Sequence, residues 1–313
     1  MPNKNLYDDG KPYLSASCYY KSIYGRKVYK LSLTASVTCP TRDGTLDNRG
    51  CIFCSRYGSG DFSQEKTKSI KEQIISAKRL ISNKYSEDSY IAYFQAYTNT
   101  YADASYLRSI WEEAIVEEGI VALDIATRPD CLGEDILSLL EEFARKIPVT
   151  VELGLQTSKE ESIRYIRRHY NNQVYEEAVK KLHNIGIHVI THMIIGLPGE
   201  SKEDMLRTAD FIASSGSDGI KLQLLHVLKG TDLCNEYEEK TFSLPSLEEY
   251  TDIVISIIER LPRHMVIYRI TGDGNKADLI APMWSTDKKR VLNNIHKEFK
   301  NRNTYQGKEY HGL

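Results

Sequence analysis

The chain has 313 residues, 41% hydrophobic and 27% charged, with 41 basic and 43 acidic side chains for a formal charge of -2. That length suffices for one barrel-sized α/β domain or two smaller ones, the composition excludes a disordered chain, and the near-neutral total names no partner. The N-terminus lacks the basic stub and apolar run of a secretion signal, and no window reaches 18 apolar residues, so a soluble cytoplasmic protein without a membrane partner is expected.

After an N-terminal segment, residues 1–26, the predicted strands are KVYKLSLTA (27–35), SYIAYFQAY (89–97), GIVALDIAT (119–127), VTVELGLQT (149–157), IHVITHMIIGLP (187–198) and GIKLQLLHVL (219–228). All are short, apolar and rich in β-branched residues. Helical patterns lie between them: Ile70, Ile74, Ala77 and Ile81 share one face, and Leu247, Tyr250, Val254, Ile257 and Leu261 do the same later. Gly119, Gly186 and Gly219 are expected to end helices in the left-handed conformation that glycine accepts.

Six β then α units imply right-handed crossovers and a parallel sheet covered by helices, with ligands at the C-terminal ends of the strands. They are too few to close an eight-stranded barrel, so an open, curved six-stranded barrel or a doubly wound sheet is expected. The core spans residues 27–228; residues 229–313 form a C-terminal extension with a helix, a strand at MVIYRITG (265–272) and a polar tail.

The stretch CPTRDGTLDNRGCIFC (39–54) follows the first strand and holds three of the six cysteines. In a reducing cytosol, clustered cysteines point to metal rather than disulfides. Cys51 and Cys54 form a CxxC pair that can bite one centre, and Cys39 supplies a third thiolate from upstream. Three ligands leave a four-iron cluster with one open iron, whereas zinc would need a distant His169 or His192 as its fourth ligand. Cys18, Cys131 and Cys234 are isolated and read as packing residues.

Glu152 and Gln156 fall four apart on one strand and so face the same way, with Gly154 between them opening a gap that a ligand could enter. A carboxylate facing into a parallel sheet needs a partner, and ligand contact is favoured here over a structural ion pair.

The cysteine loop, TRPD (127–130), VELGLQT (151–157), RRHY (167–170) and HMIIGLPGES (192–201), in this order on successive strands, resembles the radical S-adenosylmethionine superfamily. More narrowly it resembles the bacterial YtqA/YhcC group, related to the radical domain of the Elongator catalytic subunit. The wide spacing from Cys39 to Cys51 departs from the usual CxxxCxxC and is similar to the Elongator-like branch.

The resemblance implies an α/β fold of the open (β/α)6 partial TIM barrel kind. It implies that Cys39, Cys51 and Cys54 hold a 4Fe-4S cluster whose fourth iron chelates S-adenosylmethionine, cleaved on reduction to a 5′-deoxyadenosyl radical. An electron donor such as flavodoxin or ferredoxin follows. Arg168 would bind the methionine carboxylate, although Arg167 competes for that place, and Gln95, Thr98, Thr127, Glu152, Gln156 and His192 complete the expected cofactor pocket. GLPGES is expected to bring backbone close to the adenine, and the gap at Gly154 to admit adenosine.

Two stretches are basic: KSIYGRKVYK (21–30), with Arg26 and Lys27, and the segment from Thr286 to Lys308, with Lys288 and Lys289. Charge interleaved with aromatic rings suits phosphate contact and base stacking, and also suits a solvated face. Kinship with Elongator raises tRNA as a partner and the 5-substituent of wobble uridine 34 as a target, for example carboxymethylaminomethyl to aminomethyl uridine. A radical enzyme for a small molecule is the alternative. A non-enzymatic iron-sulfur or zinc protein is a third reading; it gives Glu152, Gln156 and Arg168 no reason to meet.

Overall fold

A computed structural model describes residues 6–58, 68–82, 88–272, 274 and 276–312. The main elements are α1 (Ala16–Tyr24), β1 (Tyr29–Leu33), α2 (Ile70–Ser82), β2 (Tyr90–Phe94), α3 (Ala104–Ile115), β3 (Ile120–Thr127), α4 (Glu134–Ala144), β4 (Val149–Gln156), α5 (Glu160–Tyr165), α6 (Asn172–Asn184) and β5 (His188–Ile195). They continue with α7 (Lys202–Ser214), β6 (Gly219–Leu224), β7 (Val227–Leu228), α8 (Asp232–Glu238), α9 (Leu247–Arg260), β8 (Val266–Arg269), β9 (Leu279–Ala281) and α10 (Lys288–Asn301).

The expected alternation is present, and the sheet curls into a half-barrel. It has seven parallel strands in the order β1-β2-β3-β4-β5-β6-β8, one more than the six of the core pattern. The seventh comes from the extension: Val266 to Arg269 pairs with β6 and hides the edge that a six-stranded sheet would leave. The sixth predicted strand divides after Leu224, and its end, β7, pairs antiparallel with β9.

Alternation along each strand separates the two faces. In β4, Val149, Val151, Leu153 and Leu155 join the helix-side core, whereas Glu152, Gly154 and Gln156 line the lumen cavity. Each fully buried Leu or Ile on the helix side contributes about 1.5–3 kcal/mol. α7 and α9 begin in capping boxes, Ser201 with Asp204 and Ser246 with Glu249, which satisfy the first free amides of each helix.

Gly119 and Gly186 have the expected positive φ, +76° and +74°. Gly219 does not: it is the first residue of β6, where a side chain would collide with the Tyr268 ring, and Gly216 takes the left-handed turn at φ +85°. Close packing rather than backbone freedom therefore requires glycine at 219.

Candidate active site

Cys39, Cys51 and Cys54 line one cavity at the C-terminal ends of the strands. The Cys54 amide donates to the Cys51 carbonyl at 3.0 Å, which curls the CxxC turn, and all three cysteines lie outside disulfides. Burial, then the neighbouring Cys54, pushes the Cys51 thiol up to about 12, so a metal centre binding there must displace a proton.

Among the described residues, no group of three His, Cys, Asp or Glu could hold a single metal ion. An iron-sulfur cube bridges thiolates spaced more widely than one ion does, and three soft donors on one cavity wall beside Arg42 and Arg128 fit such a cluster. A structural zinc does not fit: His169 faces Asp47 at 3.2 Å, and His192 Nε2 lies 2.6 Å from Glu152.

Below the cysteines, Glu152 is the hub of a buried network. Lys30 from β1 donates to Oε1 at 2.7 Å, Tyr93 from β2 donates to Oε2 at 2.7 Å, and Lys221 from β6 also donates to Oε2. Lys30 reaches Asp124 of β3 as well. Burial acts to raise the Glu152 carboxyl, but Lys221, Lys30 and His192 outweigh it and hold the group well below its usual range. For Asp124 burial and the nearby Glu152 charge win, raising it, while burial lowers Lys221.

His192 bridges the network to the cavity. Burial lowers its pKa, and a neutral ring that accepts from Gln223 at 3.1 Å through Nδ1 donates from Nε2 to Glu152. The structural ion pair weighed against ligand contact for Glu152 is thus present, although the residue also lines the cavity.

The remaining expected cofactor residues share this wall. Gln95, Thr98, Thr127, Gln156 and Arg168 all line the cavity. Thr100 gives its hydroxyl proton to the Cys131 carbonyl at 2.6 Å, so Thr127 donates to Thr100 at 2.5 Å and keeps its own lone pairs. Gln156 holds a positive φ of 65° at the strand end.

Of the two arginines, Arg168 points inward and is 1% exposed, whereas Arg167 turns away to Asp232 at 2.5 Å. The Arg168 guanidinium donates to the carbonyls of Tyr170, Leu155 and Thr157 and to Asn172 Oδ1, at 2.7–3.0 Å. Four of its five N–H groups are therefore engaged, two of them at the end of β4, so its work as a wall support is explicit.

The basic stretches are far less concentrated than their sequences imply. Arg26 and Lys27 are exposed just before β1, at the opposite end of the strands from the cysteines. Lys30, counted in the same stretch, is turned into the lumen. Lys288 and Lys289 are exposed on the first turn of α10.

Sequence reasoning missed Lys30, Tyr93, Asp124 and Lys221, and Arg42, Arg128 and Tyr170 above them. Charged residues at the centre of apolar strands were the available signal, because a buried parallel sheet tolerates a charge only with a partner. Arg128, inside the noted TRPD, pairs with Asp130 and lies 5.0 Å from the Tyr170 ring.

No helix among the described residues is long and apolar enough to cross a membrane. The chain matches the Radical SAM superfamily over residues 48–212 and the Radical_SAM C-terminal domain over 217–301. It is 41% identical to YtqA of Bacillus subtilis over 97% of this chain and 94% of that protein, and 36% identical to YhcC of Escherichia coli over 83% and 84%. It is 24% identical to a Thermotoga petrophila tRNA-2-methylthio-N(6)-dimethylallyladenosine synthase over 62% of this chain and 44% of that one. In fold it is similar to archaeal Elp3 of Methanocaldococcus infernus, with a TM-score of 0.68, 16% identity, and coverage of 89% of this chain and 64% of that one. By its family match and these relatives, the chain belongs to the radical S-adenosylmethionine superfamily, in the group that contains YtqA and YhcC.

Proposed function

We propose that the protein modifies tRNA, acting on the 5-substituent of wobble uridine 34, for example in converting carboxymethylaminomethyl to aminomethyl uridine. The family's cofactors are a 4Fe-4S cluster and S-adenosylmethionine, which together supply one-electron reduction and a carbon radical able to take a hydrogen atom from substrate. The observation that carries the reading is one cavity lined by Cys39, Cys51 and Cys54, by Thr127, Gly154 and Gln156, and by His192 and Arg269.

In that cavity the three thiolates would hold the cluster, and the β3 and β4 ends would hold S-adenosylmethionine. Tyr93, Glu152 and His192 would bound the space left for a flipped-out base. Electrons would come from a flavodoxin or ferredoxin, and the compartment would be the cytoplasm. Support for RNA comes from the name of the Thermotoga relative and from the exposed cations Lys288 and Lys289.

A small-molecule substrate is favoured by one observation: Lys30 is internal, and Arg26 and Lys27 sit at the end remote from the cavity, so the first basic stretch offers little to RNA bound at the cysteine face.

The test is anaerobic reconstitution with iron and sulfide, then dithionite and S-adenosylmethionine, with tRNA from cells lacking the enzyme. 5′-Deoxyadenosine made by the intact protein and absent from Cys54→Ala would support radical chemistry. A tRNA-dependent rise with a new nucleoside by mass spectrometry would support the substrate, and cleavage without any tRNA dependence would favour the small molecule.

A further inference from the structure

Eleven residues separate Cys39 from Cys51, a spacer long enough that its closure must be held by something other than chain stiffness. Arg42 touches both sides of it. Its backbone amide donates to the Cys39 carbonyl at 2.8 Å. Its Nη2 donates to the carbonyls of Cys54, at 2.9 Å, and Ser55, at 2.7 Å. The guanidinium also lies 5.9 Å from the Tyr97 ring, and Arg42 lines the cysteine cavity.

Gly50, immediately before Cys51, makes room for this contact. It has φ +74°, and a Cβ there would stand 2.9 Å from Arg42 Nε and 3.1 Å from Cζ. The Gly50 amide donates to the Thr41 carbonyl at 2.7 Å, and the Thr41 hydroxyl lies 3.1 Å from the Cys39 sulfur. One side chain thus joins the Cys39 strand of the loop to the CxxC turn, in a space that any larger residue at position 50 would take.

We propose that Arg42 is a positioning residue for the cluster: its fork fastens the two cysteine-bearing segments together before iron arrives, and its charge then lies beside the loaded cluster. The fork and the charge are separable. Carbonyl oxygens curled toward a polyanionic cluster would repel it, and a guanidinium that takes those carbonyls away as acceptors also supplies a nearby cation. The inference rests on the three cysteines holding the 4Fe-4S cluster.

Three variants of the full chain test it: Arg42→Gln, Arg42→Lys and Gly50→Ala. Each is reconstituted anaerobically; iron and sulfide are counted, iron release to a chelator is timed, and the midpoint potential is read by electron paramagnetic resonance. Arg42→Gln is expected to release iron at least ~10-fold faster than the parent, equal to about 1.4 kcal/mol, with a more negative potential.

Arg42→Lys keeps the charge without the fork and is expected to keep the parent potential while releasing iron fast. Gly50→Ala pushes the guanidinium off its carbonyls with the charge retained and is expected to match Arg42→Lys, which a general folding defect would not produce. Arg42→Gln with parental release rate and potential would overturn the proposal while leaving the cluster reading intact. A parent protein that loads no four-iron cluster would overturn the cluster reading itself, and the proposal with it.

Discussion

Lys30 and Glu152 are 122 positions apart in sequence, yet the ammonium of one lies 2.7 Å from the carboxylate of the other inside the lumen. Both charges are removed from bulk water, and each is tolerated only because of the other and of Lys221, Tyr93 and Asp124 around them. Glu152→Gln takes the carboxylate from Lys221 and leaves Lys30 with Asp124 alone, so it is expected to lower the unfolding free energy by about 3–5 kcal/mol in urea titration. A loss below about 1 kcal/mol would mean that the network is not a unit.

The same carboxylate sets a pH dependence. Glu152 is held well below its unfolded value, so its contribution is complete above the ordinary glutamate range near pH 4.3 and is lost as pH falls through the folded value. The stability gap between the parent and Glu152→Gln should therefore narrow as the pH falls below the glutamate range. Equilibrium unfolding at a series of pH values reads this, and a gap that widens in acid would contradict it.

At Gly154 the nearest obstacle to a Cβ is the flexible amide of Gln156, 2.5 Å away, rather than backbone. Gly154→Val can therefore fold with a stability cost of about 1 kcal/mol, typical of a tolerated point change, while filling the space assigned to adenosine. S-Adenosylmethionine affinity, read by calorimetry on reconstituted protein, is expected to fall at least ~10-fold. Unchanged affinity would remove adenosine from this wall.

Arg168→Lys replaces a planar fork by a single ammonium, which cannot serve three carbonyls and Asn172 together. A stability loss of about 3 kcal/mol or more is expected, at roughly 1.5 kcal/mol or above for each charge-assisted bond removed. If stability stays within about 0.5 kcal/mol and only cofactor affinity drops, Arg168 serves the ligand rather than the strand.

If RNA runs over the start of α10, the double variant Lys288→Gln with Lys289→Gln should flatten the plot of log affinity against log salt by about 1–2 units, at roughly 0.9 or less for each phosphate that is no longer neutralised. An identical slope would take these two lysines out of the RNA footprint.

The fold was legible because strand and helix periods differ, and each predicted strand overlaps an observed one. The cavity wall was legible where residues four apart on a strand must share a face, as Glu152 and Gln156 do. What stayed hidden was pairing between strands. Lys30 looked like part of a surface patch because one strand cannot say that Asp124 and Glu152 wait across the lumen, and Arg42 looked like loop filler because its partners lie 12 and 13 residues on. The seventh strand was noticed at MVIYRITG, but its place beside β6 depends on a crossover that no local pattern records.

That seventh strand ties the two chain ends together. The Ile267 amide donates to the Leu14 carbonyl at 2.8 Å, Gln306 N–H donates to the Pro12 carbonyl at 2.8 Å, and the Leu14 amide donates to Gln306 Oε1 at 2.8 Å. During synthesis, therefore, residues 12–14 wait for residues 267 and 306 to emerge, and the open edge of β6 pairs only once residues 266–269 have followed. Pairings this distant in sequence form slowly. A nascent chain thus carries the 39–54 loop on a barrel that still lacks its seventh strand.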